Sequence, residues 1–121
     1  MIGIGIDAVD IDRFRRSLKR QASIADRLFT PNELAYARKA KDPTERLAVR
    51  FAAKEAVMKA LGVGLGAFGF HDVEVRRHDS GRPELHLSGA AHDLAVAAGV
   101  TVWHLSMTHT ATQAQAIVAA E

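Results

Sequence analysis

Hydrophobic positions change period several times along the chain, and each change marks an element. Ile2, Ile4 and Ile6 alternate with Gly3 and Gly5 up to Asp7. This is the two-residue period of a β-strand with isoleucine on one face and bare backbone on the other. Ile11, Phe14 and Leu18 then recur at helical spacing behind Asp10 and Asp12, either of which suits an N-cap. Thr30-Pro31-Asn32-Glu33 is a capping box with proline at the first helical position, and predicts a short helix from Pro31 to about Lys39. After a loop at Lys41-Asp42-Pro43, residues 44–61 (TERLAVRFAAKEAVMKAL) predict the longest helix, ended by Gly62. Residues 62–69 (GVGLGAFG) predict a glycine-rich loop. Alternation predicts a strand over 71–76, a turn at Asp79 to Pro83 and a return strand from Glu84 to Leu87. Ser88 to Ala98 predicts a helix stopped by Gly99, and Val100 to Thr108 a strand. Residues 112–119 suit a strand or a helix, because alanine tolerates both.

The long helix carries the first chemical hint. At about 100° per residue, Leu47, Phe51, Met58 and Leu61 form one stripe. Ala52, Ala53, Ala56 and Ala60 cover much of the other side. A helix apolar nearly all round is buried, yet this one carries Lys54 inside the stripe and Glu55 and Lys59 along its edge. Charges on a buried helix are costly unless paired or used. The local explanation is an i,i+4 pair between Glu55 and Lys59 on a solvated edge, with Asp7 capping the helix or turn after its strand. The joint explanation is a site: Asp7 at the end of a glycine face and Glu55 on a buried helix supply two carboxylates to one hard cation. Mg²⁺ accepts one or two such ligands and leaves positions for phosphate. Arg50, Lys54 and Lys59 would answer the phosphate charge, and the loop glycines Gly62, Gly64 and Gly66 would leave room for a bulky ligand. The bare strand face would admit both the helix and that ligand.

Composition narrows the classes. The 121 residues include no cysteine, which excludes disulfides, Zn-thiolate sites and a cysteine nucleophile. No run approaches a membrane span or a signal peptide, so the default expectation is one complete, intracellular, cytoplasmic domain over 1–121, with no membrane partner. Net charge is only +2, but Arg13, Arg15, Arg16, Lys19, Arg20 and Arg27 face a single acid, Asp26, in their block. Arg13, Arg16 and Arg20 share a helix face suited to an acidic partner. Nucleic acid is not expected, because only Phe14 interleaves the block. The six histidines show no metal-ligand spacing, and Ser106 lacks the surroundings of a hydrolase nucleophile.

In order along the chain stand Gly3-Ile4-Gly5-Ile6-Asp7, Phe29-Thr30-Pro31 with Glu33, Arg50-Phe51-Ala52-Ala53-Lys54-Glu55-Ala56 with Lys59-Ala60, Gly81-Arg82-Pro83, and Ser106 with Thr108-His109. In these the sequence resembles the holo-acyl-carrier-protein synthases, 4′-phosphopantetheinyl transferases of the short bacterial type, across nearly its whole length. Met107 departs conservatively from an aliphatic position. The resemblance implies an α+β fold, a small antiparallel sheet against a long buried helix and shorter ones. It implies transfer of 4′-phosphopantetheine from coenzyme A to a serine of apo-acyl carrier protein, releasing adenosine 3′,5′-bisphosphate, in support of fatty acid biosynthesis. It further implies Asp7 and Glu55 as ligands of Mg²⁺ and Lys59 at the phosphates. Gly81, Arg82 and Pro83 would lie near the adenine end of coenzyme A and His109 near its phosphates, with Thr108 also among the cofactor-binding residues. Arg13 would contact the carrier protein, and the assembly would be a homotrimer. Glu55 itself or a metal-bound water would take the serine proton. The alternatives on residues alone are a Mg²⁺-dependent phosphohydrolase using the same carboxylates, and a non-enzymatic module binding acidic partners through Arg13 to Arg27.

Overall fold

In the computed structural model, which describes residues 1–121, the elements run β1 (Gly3–Asp10), α1 (Ile11–Arg20), α2 (Ser23–Leu28), α3 (Pro31–Ala37), α4 (Thr44–Leu61), a 3₁₀ turn (Phe70–Asp72), β2 (Val73–Arg77), β3 (Pro83–Leu87), α5 (Gly89–Ala97), β4 (Trp103–His109) and β5 (Gln113–Ala120). The first and last strands are neighbours: β1 and β4 flank β5 in a three-stranded antiparallel sheet. β2 and β3 form a separate antiparallel hairpin. This is the expected α+β arrangement, divided between two sheets.

Small residues decide how the large sheet meets α4. On β1 the inward positions include Gly3 and Gly5, and on β5 they are Ala114, Ala116, Val118 and Ala120. These confront the Ala52, Ala53, Ala56 and Ala60 side of α4, all buried. A Cβ on Gly5 would stand 1.9 Å from the Ala56 carbonyl oxygen, and one on Gly3 1.9 Å from that of Ala60. The bare face is therefore filled by the helix backbone and keeps no space for a ligand, contrary to the double role expected of it. The inward alternation along 113–120 also resolves the ambiguous last segment as strand.

A second cluster, with Ile11, Phe14, Phe29, Leu34 and Leu47 at its heart, joins α1 and α3 to the first half of α4. Phe14 bridges inward, its ring 6.2 Å from Phe29 and 5.4 Å from Phe51. Asp10, rather than Asp7, caps α1 by accepting from Arg13 N–H at 3.1 Å. The Thr30–Glu33 capping box is formed in full. α4 spans the expected residues and ends where Gly62 turns left-handed at φ 70°.

Two differences have local causes. α2 was not expected; it is six residues long, has no side-chain cap and buries no residue fully, so it leaves no periodic signal. The hairpin starts at Val73 rather than at residue 71, because Phe70–Asp72 turns first.

Gly5→Ala is expected to destabilise the protein by about 3 kcal/mol, since a helix backbone cannot yield as a side chain can. A urea unfolding midpoint near wild type would count against so close an approach.

Candidate active site

Because β1 lies against α4 backbone to backbone, its next inward residue, Asp7, comes beside the helix position that follows Lys54. Asp7 and Glu55 line the same cleft, about 750 Å³ in volume, with Phe51 and Phe70 on its apolar wall and Arg13 and Arg27 among its other residues. Glu55 is half-buried. Burial first, and the neighbouring Asp7 charge second, raise its proton affinity, while Lys59 lowers it. Two carboxylates that repel one another across a partly desolvated cleft are a place short of positive charge.

Lys59 supplies some of that charge. Its ammonium lies 3.1 Å from Asp7 Oδ1 and donates to the Ile6 carbonyl at 2.9 Å. The local explanation of a Glu55–Lys59 pair is thus replaced by a contact from helix to strand. No three histidine or carboxylate side chains gather anywhere in the structure. The donor set at the cleft is two carboxylates, all oxygen, with a cation already drawn to one of them. That chemistry fits Mg²⁺, which takes few protein ligands.

Lys54 is elsewhere. Its side chain is 0% exposed, paired at 2.8 Å with the equally buried Glu33. It also donates to the carbonyls of Phe70, at 2.9 Å, and Val73. Glu33 in turn accepts from the backbone N–H of Thr30 and Val75, each at 3.0 Å. Lys54 therefore does not reach a ligand; it ties α3, α4 and the start of β2 together, the arrangement that makes a buried pair tolerable. The loop glycines also change role. Gly62 and Gly66 take positive φ to end α4 and turn the chain, and neither they nor Gly64 line the cleft. Only Leu65 of that loop does.

A second cleft of about 340 Å³ brings together Arg50, Gly81, Pro83, Thr108 and His109, all residues expected to face a ligand. It also collects residues that the sequence did not single out. The guanidinium carbons of Arg46, Arg50 and Arg77 lie 4.4, 4.5 and 4.9 Å from the centre of the Tyr36 ring. Burial lowers the proton affinity of Arg50, whose Nε is enclosed without a partner. His109 Nδ1 stands 3.4 Å from Glu45. Arg46 was legible in retrospect, one helical turn before Arg50; Tyr36 and Arg77 arrive only through tertiary packing. Arg82 departs from expectation, lining a separate groove with Trp103 and His104.

Arg13, Arg16 and Arg20 are all exposed on α1, and Arg13 alone of the three reaches the carboxylate cleft. Arg15 is held by Asp12 and Asp42 at 2.6 and 3.1 Å.

One small fold thus holds a cleft with two carboxylates, whose chemistry suits a hard cation, and a second cleft lined by arginines. The chain belongs to the 4′-phosphopantetheinyl transferase superfamily, whose family pattern it matches over residues 3–118. It is 48% identical to a holo-[acyl-carrier-protein] synthase of Streptomyces avermitilis, over 100% of this chain and 98% of that protein. The crystal structure of a holo-[acyl-carrier-protein] synthase from Neisseria meningitidis superposes with a TM-score of 0.91 at 36% identity, covering 100% of this chain and 98% of that one. A Bacillus anthracis synthase in complex with CoA (3′,5′-ADP) gives 0.82 at 37% identity, over 98% and 95% of the two chains. No helix is long and apolar enough to cross a membrane.

The raised proton affinity of Glu55 has a testable sign. A carboxyl that binds its proton more tightly folded than unfolded subtracts stability above its folded pKa, and the penalty disappears below the unfolded value. In metal-free protein, Glu55→Gln should therefore raise Tm modestly at pH 7 and leave it unchanged in acid below the ordinary carboxylate range. A Tm at pH 7 that falls would contradict the strained pair.

Proposed function

We propose that this chain transfers 4′-phosphopantetheine from coenzyme A to a serine hydroxyl of apo-acyl carrier protein, releasing adenosine 3′,5′-bisphosphate and so supporting fatty acid biosynthesis in the cytoplasm. Residues 1–121 act as one transferase domain. The observation that carries the reading is the meeting of Asp7 and Glu55 at one cleft in a chain similar to named synthases from end to end. Asp7 and Glu55 would hold Mg²⁺, whose chemistry when bound is to neutralise a diphosphate and the charge on its leaving group.

The remaining steps belong to the protein. Attack at a phosphoryl centre asks for positioning and charge more than for a covalent intermediate. The serine oxygen forms a new bond to the pantetheine phosphorus while the diphosphate P–O bond breaks toward the nucleotide. Glu55, half-buried and with a raised affinity for protons, suits acceptance of the serine proton. Lys59, on a half-exposed flexible stem, answers the phosphates. The Tyr36–arginine cleft, with Gly81, Pro83, Thr108 and His109, suits the nucleotide end, where the enclosed Arg50 Nε still lacks an acceptor. The exposed Arg13, Arg16 and Arg20 face would steer an acidic carrier helix toward the carboxylate cleft.

Assembly follows from the other side of β1. Ile4 and Ile6 are 57% and 60% exposed, with Ile117 beside them across the register on β5. An isoleucine face of this kind calls for a cover, and a second and third copy in a homotrimer would provide it. Wild type is expected to sediment as a trimer and Ile6→Asp as a monomer; a variant that sediments as wild type does would place the interface elsewhere.

The activity itself is read by intact mass. Purified apo-acyl carrier protein incubated with the chain, coenzyme A and Mg²⁺ should gain one phosphopantetheine. The gain should vanish with EDTA and fall by about two orders of magnitude or more in Asp7→Asn, the scale of losing one group that holds transition-state charge. Coenzyme A cleaved without transfer would instead indicate a phosphohydrolase. Binding of the carrier with no turnover of coenzyme A would indicate a docking module.

A further inference from the structure

The two carboxylates of the cleft are treated unequally. Asp7 has an ammonium at 3.1 Å, while Glu55 takes part in none of the ion pairs of the structure, although Lys59 stands one helical turn away from it. Lys59 reaches across to the strand, where the Ile6 carbonyl offers a second acceptor at 2.9 Å. Exposure separates the partners: the Asp7 side chain is 17% exposed and that of Lys59 54%. Asp7 is therefore the fixed member, sunk between β1 and α4, and Lys59 the movable one, reaching in from solvent on a four-carbon stem. A half-exposed pair of this kind is weak, so it can be exchanged at small cost.

We propose that the Lys59 ammonium is the resident occupant of the Asp7 side of the cation seat, and that an arriving divalent ion displaces it. On this view Lys59 holds the Asp7 carboxylate in place while the seat has no metal and limits the repulsion between Asp7 and Glu55. Asp7 and Glu55 together would hold a divalent ion, where the ammonium pairs with Asp7 alone, and this second carboxylate would favour the ion in the exchange. The released lysine is then free to swing toward the phosphates of a substrate carried with the metal. The inference rests on the transferase reading, in which Asp7 and Glu55 hold the cation, and adds that metal and Lys59 compete for one oxygen.

The competition can be read without turnover. Mn²⁺ binding, followed by electron paramagnetic resonance without coenzyme A, would be compared in wild type, Lys59→Met and Arg27→Met. Arg27 lines the same cleft but pairs with neither carboxylate. Lys59→Met should bind Mn²⁺ about three-fold more tightly than wild type, the scale of one half-exposed ion pair removed from competition. Arg27→Met should show a smaller gain or none. Equal or weaker binding in Lys59→Met than in wild type would overturn the exchange and leave the metal seat standing. An equal gain in Arg27→Met would also overturn it, assigning the effect to charge at a distance. Failure of both wild type and Lys59→Met to bind Mn²⁺ would remove the seat, and the exchange with it.

Discussion

The structure depends on the distance between one strand and one helix. β1 approaches α4 closely enough that a single methyl group on Gly3 or Gly5 would collide with a helix carbonyl. That proximity allows Asp7, two positions beyond Gly5 on the same face, to share a cleft with Glu55. A larger side chain at either glycine would push the strand outward and open the carboxylates. The alanines of β5 and α4 continue the same constraint across the sheet. Small residues here set a spacing between strand and helix, and with it the placement of the two carboxylates.

Charge is placed in two contrasting ways along a few turns of the same helix. Lys54 and Glu33 are enclosed, and their hydrogen-bonding capacity is used up by one another and by the backbone groups of Thr30, Phe70, Val73 and Val75. One residue later, Glu55 has no such company, and burial together with the neighbouring Asp7 charge raises its proton affinity. The first arrangement joins elements and is chemically silent. The second leaves a charge unbalanced, the condition under which a side chain remains available to a ligand. Adjacency in sequence therefore says little about role: Lys54 and Glu55 point into different surroundings because helix positions one apart are separated by about 100°.

The same contrast separates the features legible in the sequence from those that were not. α4, its Gly62 stop and the capping box before α3 were legible, since each rests on local spacing and chemistry. The Asp7–Glu55 pair was also legible, because a bare strand face and a charged position on a buried helix each demand an explanation and share one. Lys54 was misplaced because its partner, Glu33, had already been accounted for as a capping residue; a side chain that does two jobs hides the second. The loop glycines were misplaced because positive φ and ligand access leave the same sequence mark. The arginines around Tyr36 were legible least, since they come from α4 and β2 and meet on the ring of a residue from α3.

Pairing of β1 with β5 sets Asp7 opposite Ala116, near the far end of the chain. At roughly 5–20 residues per second of synthesis, the strand that carries Asp7 waits several seconds for the neighbour that pairs with it. Contacts between such distant segments form late and slowly. Until that neighbour arrives β1 has no strand beside it, so the cleft lined by Asp7, Glu55 and Gln113 is completed late.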